Sequence, residues 1–293
     1  MIERDWLSSN QILFLGRDST ALVDSGYVAH AATTAALVAR LLAGRRLDAL
    51  YNTHLHSDHC GGNATLQRAH GCRTAVPAAM LGVVRDWDPK RLTFDATGQR
   101  CERFEAHAGI EPGTTLRLAD ADWQALAAPG HDPTSLVFWQ PEHRVLISAD
   151  ALWEHGFGVI FPELEGDSGF AEQRDTLELI AGLDAAVAIP GHGRPFTDVP
   201  GALERARSRL DYLSADPARN ARHALKVLVK FLLLERRTLA PAELVEVLER
   251  ASYFVEVNRR FFGLPIEALA RRATDDLVAT GTARLSDGVL VNA

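Results

Sequence analysis

Ten residues, Thr53-His54-Leu55-His56-Ser57-Asp58-His59-Cys60-Gly61-Gly62, constrain this chain more than any other segment. Three histidines and one aspartate fall within six positions, in a chain of 293 residues that holds 11 histidines. Neither packing nor solubility calls for that arrangement. Imidazole nitrogens and carboxylate oxygens bind divalent metals at about 2.0–2.2 Å. Side chains two apart in an extended loop point the same way, so His54 and His56 can chelate one ion. Asp58 and His59 sit further round the turn and can face a second. Gly61-Gly62 lets the backbone bend sharply into the next helix. The apolar run Leu47–Asn52 reads as a strand delivering the chain into this stretch, which puts the ligands in an open loop on a rigid support.

Further donors lie downstream. His131 sits in Ala128-Pro129-Gly130-His131-Asp132, Asp150 ends the apolar run Val145–Ala149, and His192 sits in Pro190-Gly191-His192-Gly193. Each follows a strand-like segment, with a Gly or small residue beside it. Seven such positions supply two metal sites rather than one.

The chain between these points alternates short apolar runs with helical patterns. Gln11–Leu15 and Ala21–Val23 read as a hairpin, the second run ending at Asp24. Ala31–Leu42 has helical spacing and stops at Gly44. Gly61–His70 reads as a helix, Arg73–Val76 as a strand and Pro77–Trp87 as helical. Cys101–Glu105, Thr115–Leu118, Trp123–Ala127, Ser135–Trp139 and Arg144–Ser148 read as strands. Phe170–Leu183 reads as an amphipathic helix, Ala186–Ile189 as a strand and Gly201–Ser214 as a helix. Two groups of strands with helices among them predict two sheets packed face to face with helices outside. Composition shifts near Ala215-Asp216-Pro217. Beyond it come helical patterns at Ala221–Arg236, Pro241–Glu249 and Pro265–Thr280, then two short apolar segments around the turn Ser286-Asp287-Gly288. That order suggests a winged-helix module. The expected domains are 1–215 and 216–293.

Charge and cysteine content bound the function. The net charge is −7, so no global basic field recruits nucleic acid or anionic membrane. From residue 201 onward 15 Lys and Arg face 12 Asp and Glu, a local net of +3 that is too weak to argue for nucleic acid. Arg259-Arg260 and Arg271-Arg272 are the pairs that could touch phosphate. Three cysteines, Cys60, Cys72 and Cys101, form no disulfide framework and fit a reducing compartment. Cys60 reads as a buried structural thiol. The N-terminus lacks a signal-peptide pattern. Lys226 and Lys230 interrupt the most apolar stretch, which is far short of the roughly 20 residues of a membrane span. The expected location is the cytoplasm.

The ligand stretch, with His131, Asp150 and His192 in that order, resembles the metallo-β-lactamase superfamily and its H-x-H-x-D-H motif. The resemblance covers about residues 10–215. It implies an α/β fold, an αββα sandwich with the metals at one edge of the sheets. It implies that His54, His56 and His131 hold one metal, that Asp58, His59 and His192 hold the second, and that Asp150 bridges them. Asp24 matches a strand-end aspartate that supports the site from behind. The cofactor expected is two divalent ions, Zn first, with Fe or Mn also suited to the donors. The chemistry implied is hydrolysis. Two metals about 3.5–4 Å apart share a water, lower its pKa from 15.7 toward roughly 7, and yield a bridging hydroxide that attacks a carbonyl or phosphorus. Asp58 is placed to orient that nucleophile or accept its proton.

A bridging Asp150 points away from true β-lactamases and toward the thioester hydrolase, lactonase, phosphodiesterase and nuclease branches; the substrate expected is a small-molecule ester, thioester or lactone. The segment after Asp150 resembles glyoxalase II, where a Lys and a Tyr help hold glutathione; Val159 and Phe161 stand at the aligned positions. That argues against glutathione and for an apolar substrate portion, with Trp153, His155 and Phe157 as candidate contacts. The C-terminal pattern resembles the winged-helix tail of some superfamily hydrolases, including one with endoribonuclease activity. Such a tail also serves as a lid or a homodimer contact. The alternatives to small-molecule hydrolysis are therefore a metal-dependent endoribonuclease and a mononuclear iron dioxygenase, which would leave the second ligand set idle.

Overall fold

A computed structural model describes all residues, Met1–Ala293. Thirteen strands form three sheets: β1 Ile12–Leu15, β2 Thr20–Val23, β3 Ala49–Tyr51, β4 Arg73–Pro77, β5 Ala108–Ile110, β6 Thr115–Leu118, β7 Ala121–Ala127, β8 Leu136–Gln140, β9 Val145–Ala149, β10 Val187–Pro190, β11 Thr238–Leu239, β12 Ala283–Ser286 and β13 Val289–Asn292. The first sheet runs β1-β2-β3-β4-β5, with an antiparallel hairpin at one end and parallel pairing through the rest. The second runs β10-β9-β8-β7-β6, antiparallel except for the β10–β9 pair.

The period-2 alternation of side chains explains how the layers stack. Ala21 and Val23 of the first sheet share one core with Trp123, Ala125, Leu136, Phe138 and Ile147 of the second. Their immediate neighbours along each strand point the other way. Leu22 and Leu50 pack on Val38 and Leu42 of the helix Ala31–Leu42 and on Leu66 of the helix Asn63–His70. Val137, Trp139 and Leu146 pack under the helices Phe170–Gly182 and Val199–Ser214. The result is helix, sheet, sheet, helix, as expected. The expected strand at Cys101–Glu105 is absent: that segment is irregular, and the edge strand forms at Ala108–Ile110, where the backbone pairs with β4.

Residues beyond Ser214 build a separate apolar cluster. Asp216 caps the helix Pro217–Arg236, its carboxylate accepting from the Ala218 N–H at 3.1 Å. β11 follows, then the helices Pro241–Arg250 and Ser252–Val257, a π turn at Asn258–Phe262, the helix Ile266–Ala279 and the β12–β13 hairpin. The third sheet is antiparallel, in the order β11-β13-β12. Leu225, Leu228, Leu248, Phe254, Leu269 and Leu277 fill this cluster, and Val159 and Leu164 of the sandwich join it. The helix Pro217–Arg236 thus lies against the sandwich along its length. Near its start, Asn220 donates to the Ile160 carbonyl at 2.8 Å. Near its end, the Phe231 ring meets Tyr27 edge-on, with centroids 4.9 Å apart. No helix is long and apolar enough to cross a membrane.

Candidate metal centre

All seven donor residues converge where β3, β7, β9 and β10 end, although they come from four separate loops. They form two groups. In the first, His54 Nε2 lies 3.1 Å from His56 Nδ1, and His56 Nδ1 lies 2.8 Å from His131 Nε2. In the second, His192 Nε2 lies 3.0 Å from Asp58 Oδ2, and His59 Nε2 lies 3.9 Å from that oxygen. Asp150 stands between the groups. Its Oδ2 is 3.4 Å from His131 Nε2, and its Oδ1 is 3.4 Å from His59 Nε2 and 4.0 Å from His192 Nε2.

These separations suit ligands of a common ion. Donors about 2.0–2.1 Å from a tetrahedral metal lie roughly 3.3 Å from one another. Hydrogen bonds on the other side of three of the rings, His54, His59 and His131, fix which nitrogen is free. Asp24 Oδ2 accepts from His59 Nδ1 at 2.8 Å, so the His59 Nε2 lone pair faces Asp58 and Asp150. His59 Nε2 is buried and has no hydrogen-bond partner, an orphaned acceptor that a cation would satisfy. Asp24 Oδ2 also accepts from Thr53 Oγ1 at 2.8 Å, and that hydroxyl accepts from His54 Nδ1 at 3.1 Å. His54 Nε2 is thereby left free as well. His131 Nδ1 donates to the Val159 carbonyl, leaving its Nε2 toward His56 and Asp150. Partners of this kind set tautomer and ring orientation at metal sites. Asp24 itself takes a left-handed φ of 58°, at the end of β2.

Electrostatics within the cluster are unbalanced in an informative way. Burial would lower the His59 pKa, but Asp150, Asp24 and Asp58 outweigh it and hold it well above the ordinary value. Burial, with His59 and His56 adding, keeps His54 well below its ordinary value. Burial and His56 bring His131 down to about 4. Burial would raise Asp58 and Asp150, yet His59 and His192 overcome it, so both remain carboxylates and Asp150 is shifted well down. Neutral imidazoles and ionised carboxylates are the forms that bind metal: His54, His131, Asp58 and Asp150 are already in them, and at His59 a cation would take the place of the proton that Asp58 and Asp150 favour.

Two glycines make room for this packing. A Cβ on Gly158 would lie 2.4 Å from His131 Nδ1, and one on Gly191 would lie 2.1 Å from Asp150 Oδ1. Neither glycine needs an unusual φ for this; the space itself requires it.

The donors open onto a crevice of about 870 Å³. Trp153 lines it and donates from Nε1 to Asp150 Oδ1 at 3.2 Å. His155 is at its outer edge with a side chain 78% exposed. Phe157 does not line it. That expectation is corrected: Phe157 is 1% exposed in the core under the helices, with the Arg209 guanidinium 5.6 Å from its ring centroid. The chain turns at Glu154-His155, between the bridged Trp153 and Gly156, so the tip of this segment, not Phe157, meets the crevice. Val159 contributes its carbonyl to His131, and Phe161 packs edge-on against His56 at 5.1 Å between centroids. Cys60 is fully buried, with its sulfur 3.9 Å from that of Cys101.

Sequence reasoning missed three contributors. Thr53 relays Asp24 to His54. Asn10 pins the His192 loop through its side-chain amide to the carbonyls of Pro190 and Gly193, at 2.9 and 2.8 Å. Trp6 stacks on His192, with centroids 5.2 Å apart and planes at 8°. A local signal existed for Thr53, which precedes the first ligand. Nothing near Asn10 or Trp6 in sequence marks a site whose last ligand lies at the far end of the sandwich in chain order.

Residues 4–192 match the Metallo-beta-lactamase superfamily. Among curated proteins, a hydroxyacylglutathione hydrolase of Methylococcus capsulatus is 31% identical over 187 residues, 62% of this chain and 61% of that protein. The thioesterase pkgB of Emericella nidulans is 27% identical over 157 residues, 52% of this chain and 36% of that protein. The matches thus span less than two thirds of these relatives. A metallo-beta-lactamase family protein of Thermus thermophilus superposes with a TM-score of 0.57 at 19% identity, covering 97% of this chain and 94% of its own. The sandwich, the order of the ligand loops and the match over 4–192 have one reading: this chain belongs to the metallo-beta-lactamase superfamily.

Proposed function

We propose that this protein is a dinuclear metal-dependent hydrolase acting on a small-molecule ester, thioester or lactone. The observation that supports it best is Asp150, which turns one oxygen toward His131 of the first group and the other toward His59 of the second. A carboxylate so shared suits two ions rather than one. His54, His56 and His131 would hold the first and Asp58, His59 and His192 the second, with Zn favoured and Fe or Mn also compatible. Bound there, a pair of divalent ions supplies Lewis acidity toward a carbonyl oxygen and activation of water near neutral pH.

The chain's own residues do the rest. Asp58 stays ionised and is the least buried carboxylate of the cluster, with a side chain 14% exposed toward the crevice. It is the group that accepts a proton from the attacking water. Asp24 and Thr53 keep the imidazoles in the right tautomer. Trp153 steadies Asp150 through its indole N–H. At Val159 and Phe161 the wall is apolar, which favours an apolar acyl portion there, while Arg194, Lys226 and Lys230 line the crevice elsewhere. The names of the relatives, a thioesterase and a hydroxyacylglutathione hydrolase, are compatible with the thioester class.

In this reading residues 1–215 are the catalytic unit. Residues 216–293 form a winged-helix-like cap whose first helix walls the crevice, and the protein works in the cytoplasm. The test is a side-by-side assay of metal-loaded protein on acyl thioesters, S-lactoylglutathione, a lactone panel and labelled single-stranded RNA. The reading expects thioester or lactone turnover that a chelator abolishes and that Asp58→Ala reduces by at least about a hundredfold. RNA cleavage without ester turnover, or full activity in Asp58→Ala, would overturn it.

A further inference from the structure

Aromatic rings flank the donor cluster on both sides. On the second group's side, Trp6 lies parallel to His192, and Trp153 meets both, at 5.4 Å from Trp6 and 5.5 Å from His192 between centroids. On the first group's side, Phe161 meets His56 at 5.1 Å and His131 at 5.6 Å, and Tyr253 backs Phe161 at 5.6 Å. All four rings line the crevice that holds the donors. A substrate with its reacting carbonyl between the two groups would lie between an indole wall and a phenyl wall.

Trp6 is the unusual member. It is 56% exposed, although it belongs to a segment that is firmly anchored. The Leu7 N–H donates to Asp5 Oδ1 at 3.1 Å, the Ser9 N–H to the Asp58 carbonyl at 3.0 Å, and the Asn10 N–H to the Gly191 carbonyl at 2.7 Å. The last two tie the segment to two ligand loops at once, and the indole itself is held by its contacts with His192 and Trp153. One face of the indole covers His192, Trp153 meets it edge-on, and over half of the residue is open. An anchored, open indole at the rim of a catalytic crevice is a pre-formed stacking surface, costing little entropy when a ligand covers it.

We propose that the crevice selects substrates whose acyl portion is flat and apolar, aryl in preference to short alkyl, and that Trp6 is the specificity-determining residue. This rests on the hydrolase reading above and names the substrate class of that same site. Stacking on Trp6 orders the acyl group beside Asp58, while Phe161 closes the opposite side. The reaction is ordinary hydrolysis: water adds across the acyl carbon–sulfur bond, giving an aryl carboxylate and a free thiol.

The experiment uses N-acetylcysteamine thioesters of 2-naphthoate, benzoate and acetate with metal-loaded wild type, Trp6→Ala and Trp6→Phe. Wild type should favour naphthoyl over acetyl in kcat/KM. Trp6→Ala should cut that ratio by about tenfold or more, chiefly through KM, and Trp6→Phe should recover most of it. Metal content should match wild type in both variants. An equal loss on all three substrates, or an unchanged ratio, would overturn the proposal and leave Trp6 as a support for His192. If wild type hydrolyses none of the three, the thioesterase form of the hydrolase reading fails on its own account. The slot is then judged by 2-naphthoate binding, followed as quenching of tryptophan fluorescence. Saturable quenching that Trp6→Ala weakens about tenfold supports it; none, or the same affinity in the variant, refutes it.

Discussion

Replacing Asp24 by asparagine removes one charge and changes one donor pattern, without touching a residue that faces the crevice. Asparagine accepts the left-handed backbone at this position, where φ is 58°, so the loop itself is spared. Asp24 accepts three bonds: from the Thr53 N–H at 3.0 Å, Thr53 Oγ1 at 2.8 Å and His59 Nδ1 at 2.8 Å. An amide oxygen kept on the Thr53 N–H turns the NH2 toward His59 Nδ1, so two donors meet. His59 relieves that by moving its proton to Nε2, the atom that points at Asp58 and Asp150. The opposite amide orientation keeps His59 but leaves the Thr53 N–H facing a donor in a buried site. The first outcome costs the second ion a correctly held ligand, and the second strands a buried N–H at the start of the ligand loop. Loss of such a supporting partner typically costs 10–100-fold in metal affinity, which is about 1.4–2.8 kcal/mol. A competition titration against a chromogenic chelator reads this directly, with circular dichroism to confirm the fold. Affinity within about twofold of wild type for both ions, in a folded protein, would refute the role given to Asp24.

The same geometry sets other outcomes. Gly191→Ala should lower metal stoichiometry, because its Cβ would sit 2.1 Å from Asp150 Oδ1; normal metal content by elemental analysis would contradict the shared-carboxylate arrangement. Gly158→Ala should act on His131, 2.4 Å from the new Cβ, and weaken the first ion more than the second, as cobalt spectra of the two sites would show. His223 is held down to about 3 by burial, with Arg209 and Lys226 adding, and it accepts a hydrogen bond from Arg209 at 2.7 Å. Its folded pKa lies below the unfolded value of 6.5, so its contribution is fully present above pH 6.5 and is lost as pH falls toward 3. Between about pH 6.5 and 5 the loss is about 2 kcal/mol, and denaturation of His223→Gln should show a pH dependence flatter than wild type by that amount. Phe254→Ala should cost about 3–5 kcal/mol in the C-terminal cluster, where this ring is 1% exposed, measured by urea unfolding.

The sandwich and its donors were legible for definite reasons. Strands such as Trp123–Ala127 alternate because one face meets the other sheet, and Val137 and Trp139, which alternate with Leu136 and Phe138, are also apolar because helices cover the second face. The seven donors were legible because they sit at strand ends beside Gly, Pro, a small residue or another donor. The segment Cys101–Glu105 misled because its residue types suit a strand, yet its backbone finds no strand partner, the Gln67 side-chain amide taking the Glu105 N–H and carbonyl instead, and pairing is a property of the neighbour rather than of the segment. Phe157 misled because proximity to Asp150 in sequence says little about direction once the chain has turned at Glu154-His155. Trp6 and Asn10 could not be seen at all. Their place depends on hydrogen bonds to loops at residues 58 and 190–193, and no local pattern encodes a contact of that span.

The central claim is that Asp150 is shared between two ions. Elemental analysis of protein purified without added metal, divided by chain concentration, tests it most directly. The account predicts close to two ions per chain, falling to one or fewer in Asp150→Ala. A wild-type protein carrying a single tightly bound iron, or two ions retained in Asp150→Ala, would contradict it.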